Sequence, residues 1–187
     1  MIYYQEENIV KYIEHNNITL RKAKTSDLKP LFINLWSSGE VAKYLFWEKS
    51  NSLENATERL DRTIKYQSEN NGFVVALKST GEAIGITGVV EYEPLCYRES
   101  GLCIGEQFQG FGYGKEMLEM LLYLVFVVLK GNVFRYSCVS ENIRSKNLCL
   151  NYGFEYKETL KEVRKWDNKE FNIDYFYLTK EKYFKEI

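Results

Sequence analysis

The feature that most constrains this chain is the run Gln109-Gly110-Phe111-Gly112-Tyr113-Gly114-Lys115, with three glycines at alternate positions. A strand-like segment precedes it, Glu99-Ser100-Gly101-Leu102-Cys103-Ile104-Gly105, and an apolar helix is expected from about Gly114 to Lys130. Glycines remove the side chains that would hold a ligand away from the backbone. Amides at a helix start lack internal partners, and the helix dipole adds positive potential there. Such a turn is built to hold an anion, most often a phosphate. A tight glycine turn that holds nothing is the competing reading of this stretch alone.

Two phosphate loops are excluded by spacing. A P-loop needs G-x-x-x-x-G-K-[ST], but Gly110 and Gly114 are one residue too close, and Glu116 stands where a magnesium-binding hydroxyl belongs. The dinucleotide turn reads G-x-G-x-x-G, whereas this run reads G-x-G-x-G behind Gln109.

The 187 residues fit a single domain, with an N-terminal extension over 1–17 and a core over 18–180. A net charge of -1 with interspersed signs gives no basic block for nucleic acid and no polybasic run for a membrane surface. The most apolar stretch, Met117 to Leu129, is too short to span a bilayer and carries Glu119, so it reads as a buried helix. The first residues, Met1-Ile2-Tyr3-Tyr4-Gln5-Glu6-Glu7, lack the basic start and long apolar run of a secretory signal. Cys96, Cys103, Cys138 and Cys149 have no C-x-x-C spacing, and the chain has one histidine, His15, so no metal site is expected. Free thiols fit a cytoplasmic protein.

Along the chain, Ile9, Val10, Tyr12 and Ile13 suit either a short helix or a strand returning through His15-Asn16-Asn17. Ile18 to Ala23 alternates as a strand, and Thr25-Ser26-Asp27 opens a helix whose Leu28, Leu31, Phe32, Leu35 and Trp36 share one face. Asn51, with Glu54 three residues on, reads as the cap of a second helix reaching about Glu69. Strands follow over Phe73 to Lys78 and Ala83 to Val90, and Glu91 to Arg98 reads as a loop. Beyond the glycine turn come a strand over Val133 to Val139, a short helix opened by Glu141-Asn142, and two long strands, Phe154 to Lys165 and Phe171 to Thr179. The aromatic run Tyr44-Leu45-Phe46-Trp47 is either core or the wall of a ligand pocket.

With Gln109 in front, the turn fits Q-x-x-G-x-G, and Asn142-x-x-Ser145 followed by Gly153-Phe154 fits N-x-x-S…G-F. These motifs, in this order of elements, resemble the GNAT N-acetyltransferase superfamily. Leu20-Arg21, Tyr44-Leu45 with Trp47, Gly101 to Glu106, and Asp174-Tyr175-Phe176-Tyr177-Leu178 look most like its ribosomal-protein N-terminal acetyltransferase branch. The resemblance implies an α/β (α+β) GNAT fold: one mixed, mostly antiparallel seven-stranded sheet flanked by about four helices. It implies acetyl-CoA as donor and a primary amine, on a protein N-terminus or a small molecule, as acceptor. Members of the branch commonly form homodimers.

Carried onto this chain, the resemblance has Leu102, Cys103 and Ile104 offering backbone groups to the pantetheine arm, with the Ile104 amide as oxyanion donor. Gln109, Gly110, Phe111, Gly112, Tyr113, Gly114 and Lys115 would hold the pyrophosphate, and Asn142 and Ser145 would face the pantetheine and sulfur. Many members carry a tyrosine acid where this chain has Cys149; here Ser145 is the expected proton donor, and a structural serine is the competing reading. Glu99 is the expected base, with Glu91 and Asp174 as rivals. Tyr44, Trp47 and Glu91 would line the acceptor site. The alternative function is a non-catalytic acyl-CoA-binding module.

Overall fold

The computed structural model describes residues 1–6 and 9–186. Glu7 and Asn8, inside the N-terminal extension, and Ile187 lie outside the described residues. The strands are β1 (Ile2–Glu6), β2 (Ile9–Glu14), β3 (Ile18–Arg21), β4 (Gly72–Leu77), β5 (Ala83–Glu93), β6 (Cys96–Ile104), β7 (Val133–Val139), β8 (Glu155–Arg164) and β9 (Lys169–Thr179). They form a nine-stranded mixed sheet in the order β1-β2-β3-β4-β5-β6-β7-β9-β8. The helices are α1 (Leu28–Leu31), α2 (Gly39–Ala42), α3 (Leu53–Glu69), α4 (Tyr113–Tyr123), α5 (Ile143–Leu150) and α6 (Lys180–Glu186). Contacts divide the chain into two compact units.

The first unit comprises Met1–Lys43, Lys49–Val89 and Ser100–Leu121. Its strands pair antiparallel, as in Ile13↔Leu20, Leu20↔Val75 and Val75↔Gly85. Phe73, Val74, Val75 and Ala76 are all buried, which is why β4 reads as a continuous apolar run rather than an alternating one. A 3-10 turn, Thr25–Asp27, leads into α1, which continues through a π turn, Phe32–Trp36. Arg21 grips Asp27 through two 2.7 Å bonds, fixing the exit from β3 into this helix. The second helix is capped by Ser52, one residue later than the expected Asn51. Ser52 is the residue in extended conformation, and its Oγ accepts the Asn55 N–H at 3.1 Å.

The sheet has two strands more than the expected seven, because the N-terminal extension forms β1 and β2. In β2 the buried residues are Val10 and Ile13, while every residue of β1 is exposed. A strand with no buried face leaves no period-two signal to read. The helix count exceeds the expected four through the single turn α2, capped by Ser38, and the C-terminal α6.

The second unit comprises Tyr44–Glu48, Val90–Glu99 and Leu122–Ile187. Here the start of β6 pairs parallel with β7, as in Cys96↔Val133 and Arg98↔Arg135, and β7 and β8 flank β9 antiparallel. The expected loop over Glu91–Arg98 is instead the end of β5, a tight turn at Pro94-Leu95 and the start of β6. The Glu91 carboxylate closes that turn by accepting the Leu95 N–H at 2.7 Å, with Leu95 at a φ of 61°. Phe154 packs its ring 5.7 Å from both Phe134 and Tyr136 in the buried layer. Val139, Phe171 and Ile173 form a smaller cluster against which Tyr44 and Tyr175 pack.

Candidate active site

In the first unit, β6 leads through a 3-10 turn, Glu106–Phe108, to the glycine run. The Gln109 side chain donates back to the Ile104 carbonyl at 3.0 Å, tying the end of the strand to the start of the turn. Gly110 and Gly112 have φ of +88° and +86°, a region that disfavours any side chain. Gly114 is different. It lies within α4 at an ordinary helical φ, and a Cβ built on it meets no heavy atom within 4 Å. Neither conformation nor packing within the described residues requires glycine there, although glycine weakens a helix. Glycine there leaves open space in front of the helix start.

Phe111 is 69% exposed and its ring stacks on Tyr113 at 6.0 Å. Lys115 is exposed. Behind the turn, Glu116 is buried and its carboxylate accepts the Asn17 N–H at 2.7 Å, the Asn17 Nδ2–H at 3.1 Å and the Ile18 N–H at 3.1 Å. Upstream, Gly101 interrupts β6 with a φ of +123°, and its carbonyl accepts the Thr87 hydroxyl at 2.9 Å. Leu102 is half-buried and Cys103 and Ile104 are buried.

In the second unit, Asn142 is the N-cap of α5 and its Oδ1 accepts the Ser145 N–H at 3.2 Å. The N-x-x-S spacing is therefore also a capping spacing. Ser145 Oγ lies 2.7 Å from the hydroxyl of Tyr136 on β7. Tyr136 is 1% exposed; burial raises its pKa, and the charge of Glu99 adds to the rise. Glu99 itself accepts the Ser137 hydroxyl at 2.7 Å. The two residues expected to move protons, Ser145 and Glu99, are thus held by consecutive residues of β7, Tyr136 and Ser137, in two separate hydrogen bonds. Tyr136 and Ser137 were not expected. A tyrosine on a buried strand reads as core, which it also is, and only the fold puts its hydroxyl on Ser145.

The remaining candidates are placed elsewhere in their surroundings. Cys149 is fully buried, its Sγ donates to the Lys146 carbonyl at 3.1 Å, and burial pushes its pKa up to about 12. A thiol so held is neither an accessible nucleophile nor a ready thiolate. Cys138, against Ser145, is raised to about 11, again by burial. Asp174 is 4% exposed and bonded to Lys146 at 2.5 Å, the Ser140 hydroxyl at 2.6 Å and the Thr159 hydroxyl at 2.7 Å. Glu91 is engaged at the β5–β6 turn. Tyr44 packs on the Phe171 cluster, and Phe46 lies 5.7 Å from the Phe171 ring. Arg164, buried and paired with Asp167 at 2.6 Å, donates to the Leu45 carbonyl at 3.1 Å and so anchors this aromatic segment. Trp47 is half-buried in the same segment. No group of His, Cys, Asp and Glu among the described residues could hold a metal ion.

Asp174 carries a pH prediction. Burial alone would raise its pKa, but Lys146, Ser140 and Thr159 together outweigh burial and hold the carboxyl below its ordinary value. A carboxyl lowered in the folded state contributes stability above its unfolded pKa and loses that contribution as pH falls through the folded value. Asp174→Asn is expected to cost about 2 kcal/mol at pH 7. The deficit should shrink as pH falls below about 4 in denaturant melts; a pH-independent deficit would remove the ion pair as its source.

A family model described as an acetyltransferase (GNAT) domain matches residues 17–155. The chain belongs to the GNAT acetyltransferase family. No protein of curated function matches the sequence significantly. Among solved structures, a GNAT acetyltransferase from Bacillus anthracis superposes with a TM-score of 0.78 at 19% identity, over 91% of this chain and 99% of that one. A candidate ribosomal-protein-serine acetyltransferase from Vibrio cholerae gives 0.75 at 22% identity, over 90% and 97% of the two chains. A spermidine N-acetyltransferase from Vibrio cholerae, in complex with CoA and spermine, gives 0.74 at 21% identity, over 91% and 99%. These likenesses establish the GNAT fold. The family's acyl donor is acetyl-CoA, and the space kept by Gly114 at a helix start suits a donor that carries a pyrophosphate.

Proposed function

We propose that this GNAT acetyltransferase moves the acetyl group to a primary amine by direct attack on the thioester. The observation that carries the proposal is the pair of hydrogen bonds Ser145–Tyr136 and Glu99–Ser137, made at consecutive residues of β7 in the second unit. The donor supplies an acyl carbon joined to a leaving thiolate. The chain's own residues must then bind and orient, take one proton and give another.

The amides from Gly110 to Gly114 hold the pyrophosphate, with Gln109 fixing the turn and Lys115 adding charge. Phe111 and Tyr113 form the outer wall of that turn. Leu102 and Cys103 present their backbone to the pantetheine arm, and the Ile104 N–H takes the developing oxyanion. Glu99 accepts a proton from the incoming ammonium, held by the Ser137 hydroxyl. Ser145 gives its hydroxyl proton to the departing sulfur and regains one from the second proton shed by the acetylated nitrogen, held in place by Asn142 at its backbone and Tyr136 at its oxygen. Trp47 and Tyr44 border the acceptor, while Glu91 serves the hairpin turn that leads to Glu99.

Release of free thiol from acetyl-CoA with a panel of primary amines tests the reading. The Glu99→Gln enzyme then tests the base. An amine that is mostly protonated needs the base most, so kcat/KM should fall about a hundredfold at pH 6. It should approach the parent value near pH 9. Parent-like kinetics from pH 6 to pH 9 would remove Glu99 from the mechanism.

A further inference from the structure

The register of the second unit sets Arg98 of β6 opposite Arg135 of β7. Directly opposed residues share a face, and like charges so placed repel. Neither guanidinium forms an ion pair with a carboxylate among the described residues. Among the described residues, the Arg98 side chain has a single hydrogen bond, a long one of 3.4 Å to the Glu99 carbonyl. Arg135 lies 4.5 Å from the ring centre of Tyr92 and 5.4 Å from that of Tyr175, with Tyr177 as its cross-strand partner on β9. All five side chains are half-buried, so they remain open to a ligand.

Two of the three acidic groups in these rows are engaged otherwise. Glu162 accepts the Tyr175 hydroxyl. Glu155, in the row of Tyr177, is taken by Lys182 at 2.8 Å. Glu158 lies opposite Tyr175 on the exposed β8. Two arginines opposed in register, one of them held by aromatic rings and neither ion-paired with a carboxylate, make a site for an anion.

Ser137 follows Arg135 by two residues on β7 and so lies on the same face, about 7 Å farther along the strand. Its hydroxyl is the one that holds Glu99. We propose that Arg98 and Arg135 form the anion subsite of the acceptor, which is a small primary amine carrying a carboxylate or phosphate about 7 Å from its nitrogen. This inference rests on Glu99 as the base of acetyl transfer. It opposes a polyamine acceptor, whose second cation would meet both arginines.

The test compares 4-aminobutyrate with 4-aminobutyramide, adds 3-aminopropyl phosphate to separate the two anion chemistries, and includes 1,4-diaminobutane. The parent enzyme should favour the anionic amines over the amide by about tenfold in kcat/KM. Arg98→Gln and Arg135→Gln should each bring that ratio towards one. A preference for the amide or the diamine would overturn the subsite and leave acetyl transfer intact. So would a ratio that both variants preserve. Inorganic phosphate, added with acetyl-CoA saturating, should raise the Tm of the parent protein and not of either variant. An equal rise in all three would overturn the subsite whether or not any amine is acetylated.

Discussion

Replacing Ser145 by alanine is expected to lower kcat about a hundredfold, the lower range for loss of a positioned proton donor. Alanine keeps the α5 helix, because the Asn142 cap bonds the backbone of residue 145 and not its side chain. Folding should therefore survive. Tyr136→Phe keeps the ring against Phe154 and removes only the hydroxyl that touches Ser145. It should cost kcat less than Ser145→Ala does. Combined with Ser145→Ala it should cost little more, since residues acting as one unit are not additive. A burst of free thiol measured in single turnovers separates chemistry from product release. Retention of kcat within threefold in Ser145→Ala would assign the leaving proton to water, and full additivity would break the link to Tyr136.

The second large effect is expected at the glycine turn, where stability and binding should move in opposite directions. Gly114→Ala meets no neighbour and satisfies the helix better than glycine, so the protein should be stabilised by about 0.5 kcal/mol. The same methyl occupies the space ahead of the helix start, and acetyl-CoA affinity should fall about tenfold, or 1.4 kcal/mol. Gly112→Ala differs, because its φ of +86° strains any L residue and should destabilise by about 1–2 kcal/mol. Calorimetric titration and thermal melts on both variants read the two quantities separately. If Gly114→Ala binds acetyl-CoA as tightly as the parent protein, the turn is a structural glycine turn and the donor is held elsewhere.

Much of this arrangement is local in the sequence and could be read there. The glycine turn, the helix it opens and the Asn142 cap all depend on residues within a few positions of one another. The buried strands announce themselves through apolar runs and alternation. What escaped reading is non-local or unburied. β1 buries nothing, so its residues carry no pattern. Pro94 suggested a loop, yet a proline at a two-residue turn leaves the strands on either side intact. Asp174 reads in the sequence as a rival base, and only the fold brings Lys146 to it. Arg98 and Arg135 meet through a parallel register, and no hairpin turn sets such a register from nearby residues. The ring of Tyr136 is core, and the chemistry of its oxygen depends on a helix that follows it in the chain.

Glu116 gives the donor turn a further property. Three N–H groups from Asn17 and Ile18 converge on this one carboxylate at the first turn of α4. The helix start is thereby fixed when the protein folds, and the cost in freedom falls on folding rather than on binding. On the proposed function, a residue behind the turn then governs how tightly the pyrophosphate is held. Shortening it to aspartate would leave the glycines untouched and let the turn wander, so that association with acetyl-CoA becomes a search among conformers instead of a docking to one.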